Sequence, residues 1–132
     1  MTGLPMVFVV DDDQSVRRSL ARLLKATGYQ AESFGSAAEF EARLPCEGPA
    51  CALVDVRMPE MSGFDLFQRL QQRCPDLPVV FITGHGDVAM AERAIRSGAT
   101  GFLVKPVDEV QLFAVVDLAL AVSRVRLGVG GG

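Results

Sequence analysis

The chain is poor in the residues that build metal clusters and disulfide frameworks. His85 is its only histidine, and its three cysteines are Cys46, Cys51 and Cys74. An odd number of cysteines without metal-type spacing excludes a simple disulfide scaffold and a thiolate zinc site. Reduced thiols in a cytoplasmic protein are the expectation, with Cys51 a small core residue inside a strand. No apolar run approaches the ~20 residues of a membrane span. The first residues do not join a basic start to an apolar stretch, so no export signal is expected. Charge is nearly balanced at −3, which calls for neither nucleic acid nor an anionic membrane. There is no internal repeat.

What is present is a core. The 132 residues are 49% hydrophobic, enough for one folded domain rather than a disordered segment. Strand and helix patterns alternate along the chain, which argues an α/β fold with a parallel sheet. The first strand is expected over about 6–11 and the first helix over 14–26, where Val16, Leu20, Leu23 and Leu24 have helical spacing. Residues 29–34 alternate apolar and polar side chains, as an edge strand does. Ser36 and Glu39 form a capping box for a second helix. Strands are expected over 51–55, 79–82 and 101–104, and helices over 64–73, 88–97 and 109–124. The two glycines of Thr83–Asp87 predict a mobile loop. Residues 1–124 read as one domain, and 125–132 as a glycine-rich linker stub or tail.

Four strand ends carry chemistry. Val7–Val10 runs into Asp11-Asp12-Asp13, and Cys51–Val54 into Asp55. Val79–Ile82 runs into Thr83, and Phe102–Val104 into Lys105. In a parallel sheet these ends share the edge where such folds place their sites. Carboxylates, a hydroxyl and an amine together can hold a divalent cation and a phosphoryl group. Asp13 is better read as a helix N-cap. Arg17, Arg18, Arg22 and Lys25 read as a solvated helix face, ahead of a docking surface for a kinase.

In their order and strand-end placement, Asp11, Asp12, Asp55, Thr83, Phe102 and Lys105 resemble the receiver domain of two-component response regulators, over about residues 5–122. Arg57-Met58-Pro59 and Thr83–Asp87 resemble the FixJ-like branch. The resemblance implies a flavodoxin-like topology, a five-stranded parallel sheet of order 2-1-3-4-5 flanked by five helices. It implies that Asp55 accepts a phosphoryl group from a sensor histidine kinase with Mg2+. Lys105 would pair with Asp55 and then with the phosphoryl oxygens, and Thr83 and Phe102 would form the switch. The ion would be held by Asp12, Asp55 and the backbone carbonyl of Arg57, with Asp11 at the edge of its shell. Arg57 and His85 would tune dephosphorylation, although an exposed loop histidine is the simpler reading of His85. A cis bond is expected at Lys105–Pro106. A homodimer is expected on phosphorylation, through the helix 4, strand 5 and helix 5 face. DNA would be reached only through an output domain outside this chain. Gly101 and Val107 depart from the family pattern and leave the dimer geometry open.

Three alternatives compete. A haloacid-dehalogenase-like phosphatase would use Asp11 as nucleophile, but it would leave Asp55 idle and lacks an acidic pair after Lys105. A flavodoxin-like binding module would need a phosphate-cradling loop where three carboxylates stand. A degenerate receiver could serve as an interaction scaffold, against which the complete residue set argues.

Overall fold

A computed structural model describes residues 5–45 and 47–128. Cys46 and most of the glycine-rich tail, 129–132, lie outside the described residues. The elements are β1 (Met6–Val10), α1 (Gln14–Ala26), β2 (Gln30–Phe34), α2 (Ala37–Arg43) and β3 (Ala50–Asp55). They continue with α3 (Gly63–Arg73), β4 (Val79–Thr83), α4 (Val88–Arg96), β5 (Gly101–Val104) and α5 (Glu109–Leu127). All strand pairings are parallel, in the order β2-β1-β3-β4-β5. The alternating strand β2 is at an edge, as its pattern predicts.

Each strand has period two, so the sheet sorts its side chains onto two faces. Val7, Val9, Cys51, Leu53, Val80 and Ile82 pack against Leu20 and Leu24 of α1 and Leu112, Val116 and Leu120 of α5. Phe8, Val10, Ala52, Val54 and Phe81 pack on the other side against Phe40, Leu66, Phe67, Leu70 and Ala94 of α2, α3 and α4. Phe8, Phe40 and Phe81 have no exposed surface, and burying a side chain of that kind contributes about 1.5–3 kcal/mol. Because β1 and β3 are covered on both faces, their sequences are continuous apolar runs.

The helix starts follow from local chemistry. Asp13 caps α1, its Oδ1 accepting from the N–H groups of Ser15 and Val16. Ser36 caps α2 by accepting from Glu39 N–H. The reciprocal half of the expected capping box is displaced by one residue, since Glu39 Oε2 accepts from Gly35 N–H. The expected loop through Gly63 is one residue shorter: α3 begins at Gly63, and Ser62 is its N-cap, accepting from Asp65 N–H. Gly63 sits in that first turn because a Cβ there would collide with the backbone carbonyl of Asp55. Gly28 and Gly98 take positive φ just after α1 and α4, as residues after a helix often do.

Two expectations change. Thr83–Asp87 is not an open glycine loop: Thr83 completes β4 and His85–Asp87 forms a 3-10 turn. Its Asp87 is held by an ion pair that the sequence pattern does not reveal. The last helix continues past Arg124 to Leu127, and Gly128 caps it in the left-handed region.

Candidate functional site

The strand order reverses beside β1: the chain leaves it for β2 on one side and returns to β3 on the other. This reversal opens a crevice at the C-terminal ends of β1 and β3. Asp11 and Asp12 directly follow β1, and Asp55 ends β3. One carboxylate oxygen from each of these three residues lies within 4.8 Å of the others. Asp11 is fully buried, Asp55 nearly so, and Asp12 is exposed. Asp13 remains outside the group, as its cap predicts.

Lys105 closes the site from β5. Its Nζ lies 3.2 Å from Asp11 Oδ2 and 3.4 Å from Asp55 Oδ2. Asp11 Oδ1 accepts from Asp13 N–H at 2.9 Å. Asp11 Oδ2, though beside the ammonium, makes no aligned hydrogen bond. A buried carboxylate oxygen with coordination capacity to spare, next to two further carboxylates, fits a hard divalent cation that prefers oxygen ligands. The residues present therefore suit Mg2+.

These neighbours set the titration. Burial, then the charge of Asp11, pushes Asp55 up to about 6 from 3.8; the Arg57 N–H bond and Lys105 oppose the rise. Burial by itself would lower Lys105, but the charges of Asp11 and Asp55 outweigh it, so its pKa is raised. An ammonium between two carboxylates stays charged, and Asp55 is mainly ionised near neutral pH.

Thr83 is buried at the end of β4, and its hydroxyl donates to Gly84 O at 3.0 Å. It is not bonded to Asp55. Phe102 of β5 is partly buried and packs on the cluster beneath α3 and α4. The Lys105–Pro106 bond is cis, as the family resemblance implies, and Leu44–Pro45 is cis as well. The side chain of His85 lies outside the described residues.

Two basic residues do more than the sequence suggests. Arg17 does not belong to a solvated face: its guanidinium donates to the carbonyls of Asp11 and Asp12, at 3.1 and 3.3 Å. It braces the turn that presents the acidic pair. A position four residues after the third aspartate, on the first turn of α1, was the available signal. Arg57 donates twice to Asp87, Nε to Oδ2 at 2.7 Å and Nη2 to Oδ1 at 2.8 Å. Asp87 holds the Arg57 guanidinium above its ordinary pKa, and the same bonds hold Asp87 below its own. No spacing rule links residues 57 and 87; only the fold does.

A phosphatase with Asp11 as nucleophile would have to attack from a carboxylate with no exposed surface, whereas the Asp55 side chain keeps a small exposed share, 9%, in the group with the exposed Asp12.

Residues 7–117 match the family model of the response regulator receiver domain. The chain is 42% identical over 118 residues to the transcriptional regulatory protein FixJ of Azorhizobium caulinodans, covering 89% of this chain and 56% of FixJ. It is 37% identical over 118 residues to the response regulator protein TodT of Pseudomonas putida, covering 89% of this chain and 52% of TodT. The chain thus spans about half the length of the curated relatives it matches. Among solved structures, the response regulator StyR superposes with a TM-score of 0.88 at 40% identity, over 96% of this chain and 64% of StyR. The N-terminal domain of FixJ superposes with a TM-score of 0.80 at 36% identity, over 90% and 94% of the two chains.

Proposed function

The chain belongs to the response regulator receiver domain family, and from that premise we propose that Asp55 is the phosphoacceptor of this signalling switch. The observation that carries the assignment is the Asp55 carboxylate at the crevice, 3.4 Å from Lys105 Nζ and grouped with Asp11 and Asp12. An oxygen of the ionised carboxylate attacks the phosphorus of the donor, a phosphohistidine of a sensor kinase or a small acyl phosphate. An O–P bond forms as the bond from phosphorus to the leaving nitrogen or oxygen breaks, and its electron pair departs with the leaving group. Charge builds on the phosphoryl oxygens rather than on carbon, so positioning and neutralisation do most of the catalysis.

Lys105 supplies one positive charge and moves from Asp55 to a phosphoryl oxygen. Asp12, Asp55 and the Arg57 carbonyl would hold Mg2+, with Asp11 beside them. When bound, Mg2+ offsets the negative charge that the carboxylates and phosphoryl oxygens share. Thr83 exchanges its bond to Gly84 O for one to a phosphoryl oxygen. Phe102 then turns into the space vacated beneath residues 84–87, because voids in a packed interior are costly. Arg57 and His85 tune the loss of the phosphoryl group to water.

The altered surface is that of α4, β5 and α5. Self-association there is supported by apolar side chains left exposed on the two helices, among them Met90, Ile95, Val110 and Leu118. The output controlled is transcription, through a DNA-binding domain outside residues 1–124. The bacterial cytoplasm is the compartment that suits these partners; among the described residues no helix is long and apolar enough to cross a membrane.

Intact-mass measurement after incubation with acetyl phosphate and magnesium tests the assignment. One added phosphate is expected on the unaltered chain and none on Asp55→Asn. An equal adduct on Asp55→Asn overturns it.

A further inference from the structure

The proposed chemistry uses the backbone of Arg57 and gives its side chain a part in the loss of the phosphoryl group, yet in this structure the guanidinium is held by Asp87. The Asp87 side chain is only 7% exposed, while that of Arg57 is 79% exposed. A nearly buried carboxylate is stable as an anion only while its cation stays in place. The acid therefore depends on the arginine more than the arginine depends on the acid.

The pair also joins two loops. Arg57 N–H donates to Asp55 Oδ1 at 3.2 Å, so the arginine is tied to the phosphoacceptor. Asp87 N–H donates to Gly84 O at 3.1 Å, the same carbonyl that accepts the Thr83 hydroxyl. A continuous chain of contacts runs from Asp55 through Arg57, Asp87 and Gly84 to Thr83. Loop 84–87 cannot leave its position without parting Asp87 from Arg57. Thr83 cannot turn toward Asp55 without giving up the carbonyl that anchors the loop.

We infer that the Arg57–Asp87 ion pair is a latch on the unphosphorylated form, opened when a phosphoryl group on Asp55 competes for the guanidinium. This rests on the assignment of Asp55 above. A phosphoryl group presents oxygens with more than one negative charge and matches the two-pronged guanidinium as well as a carboxylate does. Once Arg57 turns to it, Asp87 is a buried anion without its cation and is driven toward water. The loop moves with Asp87, Gly84 O is carried away from Thr83, and the hydroxyl is released for its switch contact. Asp87 is thus a positioning residue that acts through Arg57 and the loop.

The test is a titration of the full 132-residue chain with beryllofluoride in the presence of magnesium, followed by the amide resonances of residues 83–88. Asp87→Asn keeps the shape of the side chain and removes the charge that holds Arg57. It should reach half-saturation at about three- to tenfold lower beryllofluoride than the unaltered chain, the scale of a partly exposed ion pair. Adding Asp87→Asn to Arg57→Gln should change nothing further, because the partner is already gone. Without any mimic, amide exchange at position 87 should rise in either single variant. The latch is overturned if Asp87→Asn needs as much beryllofluoride as the unaltered chain. It is also overturned if Asp87→Asn has the same effect in the Arg57→Gln background, or if amide protection at position 87 is unchanged in both single variants. A response of Asp55→Asn equal to that of the unaltered chain would instead remove the assignment of Asp55, and the latch with it.

Discussion

Replacing Asp55 with asparagine should stabilise the metal-free fold near neutral pH. The site confines the carboxylates of Asp11 and Asp55 around one ammonium, and burial with the charge of Asp11 raises Asp55 from 3.8 to about 6. The folded chain therefore binds this proton more tightly than the unfolded chain does. Stability falls as pH rises from about 4 through about 6, and the loss is complete above that window. A shift of that size corresponds to about 3 kcal/mol. The crevice is open to water on the Asp12 side, so screening reduces this to about 1–2 kcal/mol. Asparagine keeps the shape and removes the charge, and should raise the melting temperature by roughly 3–8 °C at about pH 7.5. Thermal melts across pH, in chelator, check the claim. The gap between the two proteins should be small near pH 4 and open between about 4 and 6. Magnesium should then narrow it from the other side, since an ion that binds only the folded, unaltered chain stabilises that chain. Equal melting temperatures near neutral pH, or a gap that widens toward acid, would refute the account of crowded carboxylates.

Asp12→Ala should lose magnesium binding and phosphorylation by acetyl phosphate. Asp13→Ala should keep both while losing about 1 kcal/mol of stability with the α1 cap; equal losses in titrations and mass spectra would show that the wrong carboxylate is assigned to the ion. Thr83→Ala should still gain one phosphate on Asp55 but lose most of the self-association induced by beryllofluoride, as read by sedimentation. A full response in that variant would disconnect Thr83 from Phe102. Gly63→Ala forces a methyl against the Asp55 carbonyl, so the end of β3 must shift; a melting temperature lowered by several degrees and slowed phosphorylation are expected, and unchanged values in both assays would show that the close approach is not needed.

Much of this protein is written in local pattern. The apolar runs of β1, β3 and β4 announce strands covered on both faces, and the alternation of β2 announces an edge, because side-chain period and burial are read directly from the sequence. The caps Asp13 and Ser36 follow from short-range hydrogen bonds. Asp11, Asp12, Asp55, Thr83 and Lys105 are legible as a set because a parallel sheet brings strand ends to one edge, whatever the loops do.

Contacts between distant segments were not legible. Arg17 on the first turn of α1 reads as one of several exposed basic residues until the fold directs it to the carbonyls of Asp11 and Asp12. Tyr29 bonds Asp117, which is 88 residues away, and Ser123 of α5 receives the Ala50 N–H at the start of β3. Glycine content suggested a mobile stretch over 83–87, but the bidentate pair of Arg57 with Asp87 ties that stretch across the crevice. The sequence by itself determined the elements, the parallel sheet and the gathering of Asp11, Asp12, Asp55 and Lys105 at one sheet edge, since these depend on periodicity and on the common direction of the strands. Only the tertiary structure decided which charges meet, because an ion pair depends on distance and angle, and loops of unrelated sequence set both.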